Sequence, residues 1–242
     1  MKFNKNKRVF PQISSIGDSG LIVVFGEKFS IELNKKALAL DFEINKVLPK
    51  GILETIPTLV SLMVRFDPLT VSYDSLKDYI HALLECDLNL NVSIGRSFVI
   101  PAVYGGGEGP ELDEVADLMQ IRSDQVISGH TDSKQRVMML GFSAGCSYCG
   151  LLPPIWDIPR GKKINPSVPA GSLLIALRQT VFPASNMPTG WRRIGQSPCL
   201  TFNLVKDPNF LLKPGDEIRF EQISSAKAES ISHDKLWETF EK

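Results

Sequence analysis

Arg136–Leu140 (RVMML), Leu173–Leu177 (LLIAL), Leu200–Val205 (LTFNLV) and Glu217–Phe220 (EIRF) are four short β-like runs in the second half of the chain. Each is too short for a typical helix and has the length and composition of a strand. Gly and Pro crowd the intervals between them. Short strands separated by such loops build a closed barrel or a sandwich, so this half is expected to be β structure.

Upstream, Phe98–Val103 reads as a further strand running into Gly105-Gly106-Gly107. Leu112, Val115, Ala116 and Met119 recur at helical spacing, and a second short helix is expected after Ser123. The polar tail after Ile223 is expected to fray. The first ninety or so residues read differently. Gly20–Phe25 (GLIVVF) is a strand. Leu33, Ala37, Leu40, Ile44, Val47 and Leu48 form one apolar helical face, with Asn34 as N-cap and Pro49-Lys50-Gly51 as the stop. Val60, Leu62, Val64 and Phe66 alternate as in a half-buried strand, and Leu76, Tyr79, Ile80, Leu83 and Leu84 mark a helix starting near Ser72 or Asp74. His81 lies among these apolar positions and reads as packing. The fold class is therefore α+β: a small N-terminal α+β domain (residues 1–92), a β domain (93–224) and a polar tail (225–242).

The bulk numbers exclude several classes. The 242 residues include 27 Lys plus Arg and 27 Asp plus Glu, so no basic footprint for nucleic acid is expected. The basic run Lys2–Arg8 is followed by Phe10-Pro11, not by the apolar stretch of a secretory signal. No apolar run approaches the ~20 residues of a membrane helix. Four cysteines are too few for a disulfide scaffold, so reduced thiols in the cytoplasm are expected.

Gly141-Phe142-Ser143-Ala144-Gly145 fits G-x-S-x-G, but a serine elbow needs a helix after its turn, and two prolines follow. The bland reading is a glycine loop between barrel strands. Cys146 and Cys149 form a lone C-x-x-C without the context of a redox or zinc site, and read as two buried thiols; no metal site is expected. Gly105–Gly109 lacks the Lys-Ser or Lys-Thr of a P-loop and reads as a turn. His130 could carry protons near neutral pH or serve as a structural hydrogen-bonder. Trp191, in a Pro- and Gly-rich loop, is either a core plug or a pocket wall, and Ser172 and Gln179 would suit a pocket rim.

The order of segments resembles a known family. GDSGLIVVFG (17–26), PTLVSLMVRFDP (57–68), IPAVYGG (100–106), LDEVADLM (112–119), Gly129-His130 and RVMMLGF (136–142) come first. GFSAGCSYCGLLPP (141–154), Ile158-Pro159-Arg160, VPAGS (168–172), GWRRIGQSP (190–198) and LLKPGDEIRF (211–220) follow. From about residue 12 to 223 the chain is similar to the family of the B-type 5-oxoprolinase subunits, also known as allophanate hydrolase subunit 1 and as sporulation-kinase inhibitors. The resemblance implies a cyclophilin-like β-barrel as the second domain. It also implies a larger partner, the C-type subunit of the same complex, and a third subunit. Together these would form an ATP-dependent complex that opens a small lactam or amide, 5-oxoproline to glutamate. ATP is used by the complex, and no cofactor-binding motif is recognisable in this chain. Related modules form the carboxyl-transferase part of urea carboxylase.

The family's marked positions fall here on Gly141, Phe142, Gly145, Tyr148, Arg160, Pro169, Gly171, Ser172, Gln179, Gly190 and Trp191, with His130 upstream. The resemblance implies His130 as proton carrier, Arg160 as anion anchor, Gly141, Gly145 and Gly171 as N–H donors, and Tyr148 and Trp191 as walls for a small carboxylate or amide substrate. The chain departs from the family at Ala144 and Cys146, at Asn165 in place of a second Arg, at Leu177-Arg178 in place of Gly-Gly, and at Thr189. Arg178 could supply a cation or block the pocket. The alternative reading is a non-catalytic regulatory binding protein such as a histidine-kinase inhibitor; a stand-alone serine hydrolase is the third.

Overall fold

A computed structural model describes residues 9–90 and 95–240. The basic run Lys2–Arg8 and the expected boundary at 92–93 lie outside the described residues. The chain divides into two units, Met1–Ile94 and Gly95–Lys242.

The first unit runs β1 (Gln12–Ile16), β2 (Gly20–Val24), α1 (Ile31–Val47), β3 (Ile52–Pro57), β4 (Ser61–Phe66) and α2 (Tyr73–Glu85). Its antiparallel sheet has the order β1-β2-β4-β3. Alternation sends Leu21 and Val23 of β2 and Leu62, Val64 and Phe66 of β4 to one face, where Ala37, Leu40 and Ile44 of α1 and Leu76 and Ile80 of α2 join them in one core. α1 begins a turn earlier than the sequence reading placed it: Ser30 caps the helix by accepting from Leu33 N at 3.2 Å. Asn34 is instead buried within the helix, with Nδ2 donating to Thr58 O at 3.0 Å. His81 faces solvent on α2 rather than packing.

The second unit contains β5 (Ser97–Tyr104), α3 (Leu112–Met119), α4 (Ser123–Thr131), β6 (Gln135–Leu140), β7 (Ser147–Gly150), β8 (Asn165–Val168), β9 (Ser172–Ala176) and β10 (Gln179–Phe182). β11 (Met187–Thr189), β12 (Arg192–Gln196), β13 (Glu217–Gln222), α5 (Ser225–Glu229) and α6 (Lys235–Phe240) complete it. Seven strands close into a barrel in the order β10-β7-β6-β13-β5-β12-β9, and β8 and β11 form a separate two-stranded ribbon. The β5–β13 pair is parallel and the other barrel pairs are antiparallel. Alternation divides the strand side chains between two clusters. Ile100, Val137, Cys149, Ile175, Phe182 and Phe220 belong to the main core with α3 and α4. Cys146, Leu174, Ala176 and Val181 point the other way and meet Val168, Met187 and Trp191 from the ribbon and its exit.

Two expectations are overturned here. Leu200–Val205 is not a strand. Phe202 makes a lone bridge to Phe210, and the Asn side chains fold the rest into turns. Asn203 Oδ1 accepts from Val205 N, and Asn209 Nδ2 donates to the carbonyls of Leu204 and Lys206. Nor is the tail merely a polar fray: Leu236 and Trp237 of α6 are buried in the main core, with Trp237 Nε1 donating to Pro208 O at 3.0 Å.

Leu177 and Arg178 form the two-residue turn from β9 to β10, both in the left-handed region at φ 52° and 61°. That conformation costs a side-chain-bearing residue about 1 kcal/mol, and Asn tolerates it better. Leu177 is also 41% exposed, so little packing is lost on replacing it. Leu177→Asn is expected to stabilise the protein by about 0.5–1 kcal/mol, read as a raised urea midpoint with unchanged slope.

Candidate functional site

The second unit carries a cavity of about 300 Å³ at the β8–β11 ribbon. Tyr148 of β7 and Val181 of β10 are register partners, which places both side chains on the same face of adjacent strands. The ribbon and its flanks supply Ile164, Met187, Pro188 and Thr189, and the loops supply Phe142, Arg160, Gly161, Gly190 and Trp191. Trp191 is mostly buried, packs edge-on against Tyr148 at 6.2 Å, and is held by Trp191 N donating to Thr189 Oγ1 at 3.0 Å. The Arg160 guanidinium lies 5.5 Å above the Trp191 ring. Gly161 N donates to Gly190 O at 2.7 Å, tying the Arg160 loop to the ribbon's exit.

Arg160 is the one charged residue in the lining, and among the described residues no carboxylate pairs with it. Lys162 and Lys163 follow it and are exposed, adding the same sign. Burial raises the Tyr148 phenol above its usual range, with the Cys146 thiol adding to the shift and Arg160 opposing it. At neutral pH Tyr148 is thus an uncharged hydrogen-bond donor. The cavity combines one planar cation, a phenol, a threonine hydroxyl and apolar walls, which suits a small anion with a compact body.

His130 is not in this cavity. It is fully buried in the barrel core, stacked on Phe220 at 4.9 Å. Nδ1 bonds Tyr104 Oη at 2.7 Å, while Nε2 meets Thr180 Oγ1 at 2.9 Å and Gln135 Nε2 at 3.2 Å. Thr180 and Val181 are successive residues of β10 and face opposite sides, so the barrel wall separates His130 from the cavity. Burial pushes the imidazole down to about 3. The ring is buried, bonded at both nitrogens and separated from the cavity by the barrel wall, an arrangement that fits the structural hydrogen-bonder of the two readings.

Of the residues that the family resemblance marks, Phe142, Tyr148, Arg160, Gly190 and Trp191 are brought together. The others do not line it. Gly141 N donates to Cys146 O and Gly171 N to Pro183 O, so neither N–H is presented to a ligand. Gly145 (φ 71°) and Gly171 (φ 79°) occupy left-handed turns, with a Cβ at Gly145 meeting Phe202 and one at Gly171 meeting Ser197 O. Ser172 is buried with Oγ donating to Pro169 O at 2.6 Å, and Gln179 is buried in β10. Neither lines this cavity. Arg178 is not among the residues lining the cavity, and its Nε donates to Leu152 O at 2.9 Å.

The decoys resolve similarly. Ser143 lies in the turn from β6 to β7, a strand-to-strand connection without the elbow's helix. Cys146 and Cys149 are both buried; burial raises both thiols, Cys146 to about 12. Gly105–Gly109 is clasped to β12, with Arg193 donating to the carbonyls of Gly107 and Glu108. Gly161, Ile164, Val181, Met187, Pro188 and Thr189 were the lining residues that sequence reasoning missed. For Val181 the signal was strand parity relative to Tyr148, which appears only once the register is known; the others sit on the β8–β11 ribbon and its flanking loop, whose packing on the barrel appears only in the structure.

Residues 11–212 match the family described as carboxyltransferase domain, subdomain C and D. The chain is 35% identical to the B-type 5-oxoprolinase subunit of Bacillus subtilis (strain 168) over 225 residues, 88% of this chain and 93% of that protein. It is 40% identical to the B-type 5-oxoprolinase subunit of Escherichia coli O157:H7 over 126 residues, 52% of this chain and 57% of that one. The crystal structure of TTHA0988 superposes with a TM-score of 0.75 at 30% identity, covering 85% of this chain and 40% of that longer chain. The Kluyveromyces lactis urea carboxylase shares the fold, with a TM-score of 0.74 at 18% identity over 92% of this chain and 22% of that one. The barrel, the ribbon and the ordered motifs thus have one account: this chain belongs to the carboxyltransferase subdomain C and D family, among the relatives of the B-type 5-oxoprolinase subunits.

Proposed function

We propose that the chain is the small subunit of an ATP-dependent amidohydrolase complex of the 5-oxoprolinase type, and that the ribbon cavity binds a small carboxylate or amide substrate. The observation that carries this reading is Arg160, the single charge in an otherwise neutral, largely apolar cavity, unpaired with any described carboxylate and stacked on Trp191. Arg160 is exposed, and a carboxylate held by its guanidinium gains a charge-assisted contact against the Trp191 ring. Tyr148 donates a hydrogen bond to a carbonyl oxygen of the same ligand. Phe142 (68% exposed) and Ile164 (74% exposed) stand in water at the cavity's edge. A larger partner subunit that covers them would complete the site. ATP is used by the assembled complex, and a cytoplasmic setting fits the reduced thiols. No ATP-dependent step is assigned to residues of this chain.

One observation favours the second reading, a regulatory binding protein. With His130 sealed in the core, the lining contains no Asp, Glu, His or Cys to exchange protons near neutral pH. Co-expression with the larger subunit separates the two. The enzyme reading expects a stable complex that opens 5-oxoproline in the presence of ATP, and a loss of about 100-fold in kcat/KM for Arg160→Met with the complex intact. Failure to co-purify, or an inactive complex, would leave regulation as the better account. Full activity in Arg160→Met would remove the anion-anchor role.

A further inference from the structure

We infer that Arg192 is a positioning residue for the cavity, holding Arg160 in place through the Pro159 carbonyl and passing that constraint from Glu114 on α3. The inference rests on the reading of Arg160 as the carboxylate anchor.

Arg192 follows Trp191 directly and starts β12, where it pairs with Ile175 of β9. It is 7% exposed although charged. Burying a guanidinium is costly unless each donor direction is met. Two of its three nitrogens have partners. Arg192 Nε donates to Glu114 Oε1 at 2.8 Å, and Nη1 donates to Pro159 O at 2.5 Å. Pro159 is the residue before Arg160. Three contacts therefore fix three successive residues: Arg192 holds the carbonyl of Pro159, Trp191 carries the guanidinium of Arg160, and Gly190 O holds the N–H of Gly161. The three fixing residues are themselves successive, so a loop is laid against a strand entry one residue at a time. Neighbouring Arg193 N donates to Glu111 Oε2, so a second acidic side chain next to α3 grips the same strand.

The consequence is specific. Arg192 does not line the cavity, yet its removal frees the backbone from which Arg160 projects. A cation free to sample several rotamers loses affinity for a carboxylate because ordering must then be supplied at binding. Lys at position 192 has one charged head and cannot bond Glu114 and Pro159 O in the planar fork of Arg.

The test uses the full chain and two readouts. One is Trp191 emission, taken as the difference between each protein and its Trp191→Phe counterpart, which reports the guanidinium over the ring without any ligand. The other is calorimetric titration of 5-oxoproline into the complex co-purified with the larger subunit, since the partner completes the site. Arg192→Met is expected to change Trp191 emission in the same direction as Arg160→Met and to weaken 5-oxoproline binding by about 10-fold. Glu114→Gln and Arg192→Lys are expected to give smaller changes of the same sign. Adding Arg192→Met to Arg160→Met is expected to change neither readout further, because the two act through one group. Wild-type emission in Arg192→Met, or effects that multiply in the double variant, would overturn the inference. If Arg192→Met does not fold, Glu114→Gln, which alters a half-exposed carboxylate, and Arg192→Lys decide it. Should wild type not bind 5-oxoproline, or Arg160→Met bind it unchanged, the substrate reading falls, and the emission readout still decides whether Arg192 positions Arg160.

Discussion

His130→Ala is expected to destabilise the second unit by about 4 kcal/mol, seen as a lowered urea midpoint with little change in slope. The substitution removes the ring stacked on Phe220 and strips partners from Tyr104, Thr180 and Gln135 at once, all inside the barrel core. The same residue sets an acid limb in stability. Its folded pKa, about 3, lies below the unfolded value of 6.5. Between those values the unfolded chain binds the extra proton, so stability is full above about pH 6.5 and falls on acidification by up to about 1.4 kcal/mol per pH unit. From pH 7 to pH 4 the wild type should therefore lose about 3 kcal/mol more than His130→Gln. Unfolding curves at the two pH values check this, and parallel losses in the two proteins would contradict it.

Asp216→Ala is expected to cost about 3–5 kcal/mol. Asp216 is buried and accepts from Arg96 N, Nε and Nη2 and from Lys213 N. It ties the chain's entry into the barrel to the turn before β13. Truncating it strands several donors in a region where a Cβ at Gly95 would already strike Gly215 and Asp216. Glu54→Gln is the control, since its ion pair with Arg65 joins two side chains about half exposed. That change is expected to alter stability by under about 0.5 kcal/mol. Equal effects from the two variants would mean that burial does not govern these pairs.

The contrast between these residues and the cavity shows what the sequence made legible. Runs such as Arg136–Leu140 and Leu173–Leu177 announced β6 and β9 because several large apolar residues fall together. β10, Gln179–Phe182, was not read because it is buried on both faces, so no alternation marks it. β1 was not read for the opposite reason: as an exposed edge, Gln12–Ile16 has almost no apolar period. Leu200–Val205 had the right composition for a strand, but the turn-forming Asn203 inside it and Asn209 beyond it won. In the site, Trp191 was legible because an indole beside glycines demands a partner, and Arg160 and Tyr148 followed from the family resemblance. His130 was misplaced because residue type says which protons a side chain could move, not which side of a barrel wall it occupies. That distinction depends on one residue of register in β10, between Thr180 and Val181.

The parallel β5–β13 pair described above also sets a timetable. It joins the first barrel strand to the last, with Ser97 opposite Glu217 and Ala102 opposite Gln222. During synthesis the first unit is complete long before those partners exist, and domains generally fold as they emerge. The barrel, by contrast, cannot close until residues 217–222 have left the ribosome. Until then β5 waits with an open edge, and contacts of such long sequence separation form slowly. The interval between emergence of β5 and of β13 is thus the window in which the nascent chain has most need of a chaperone.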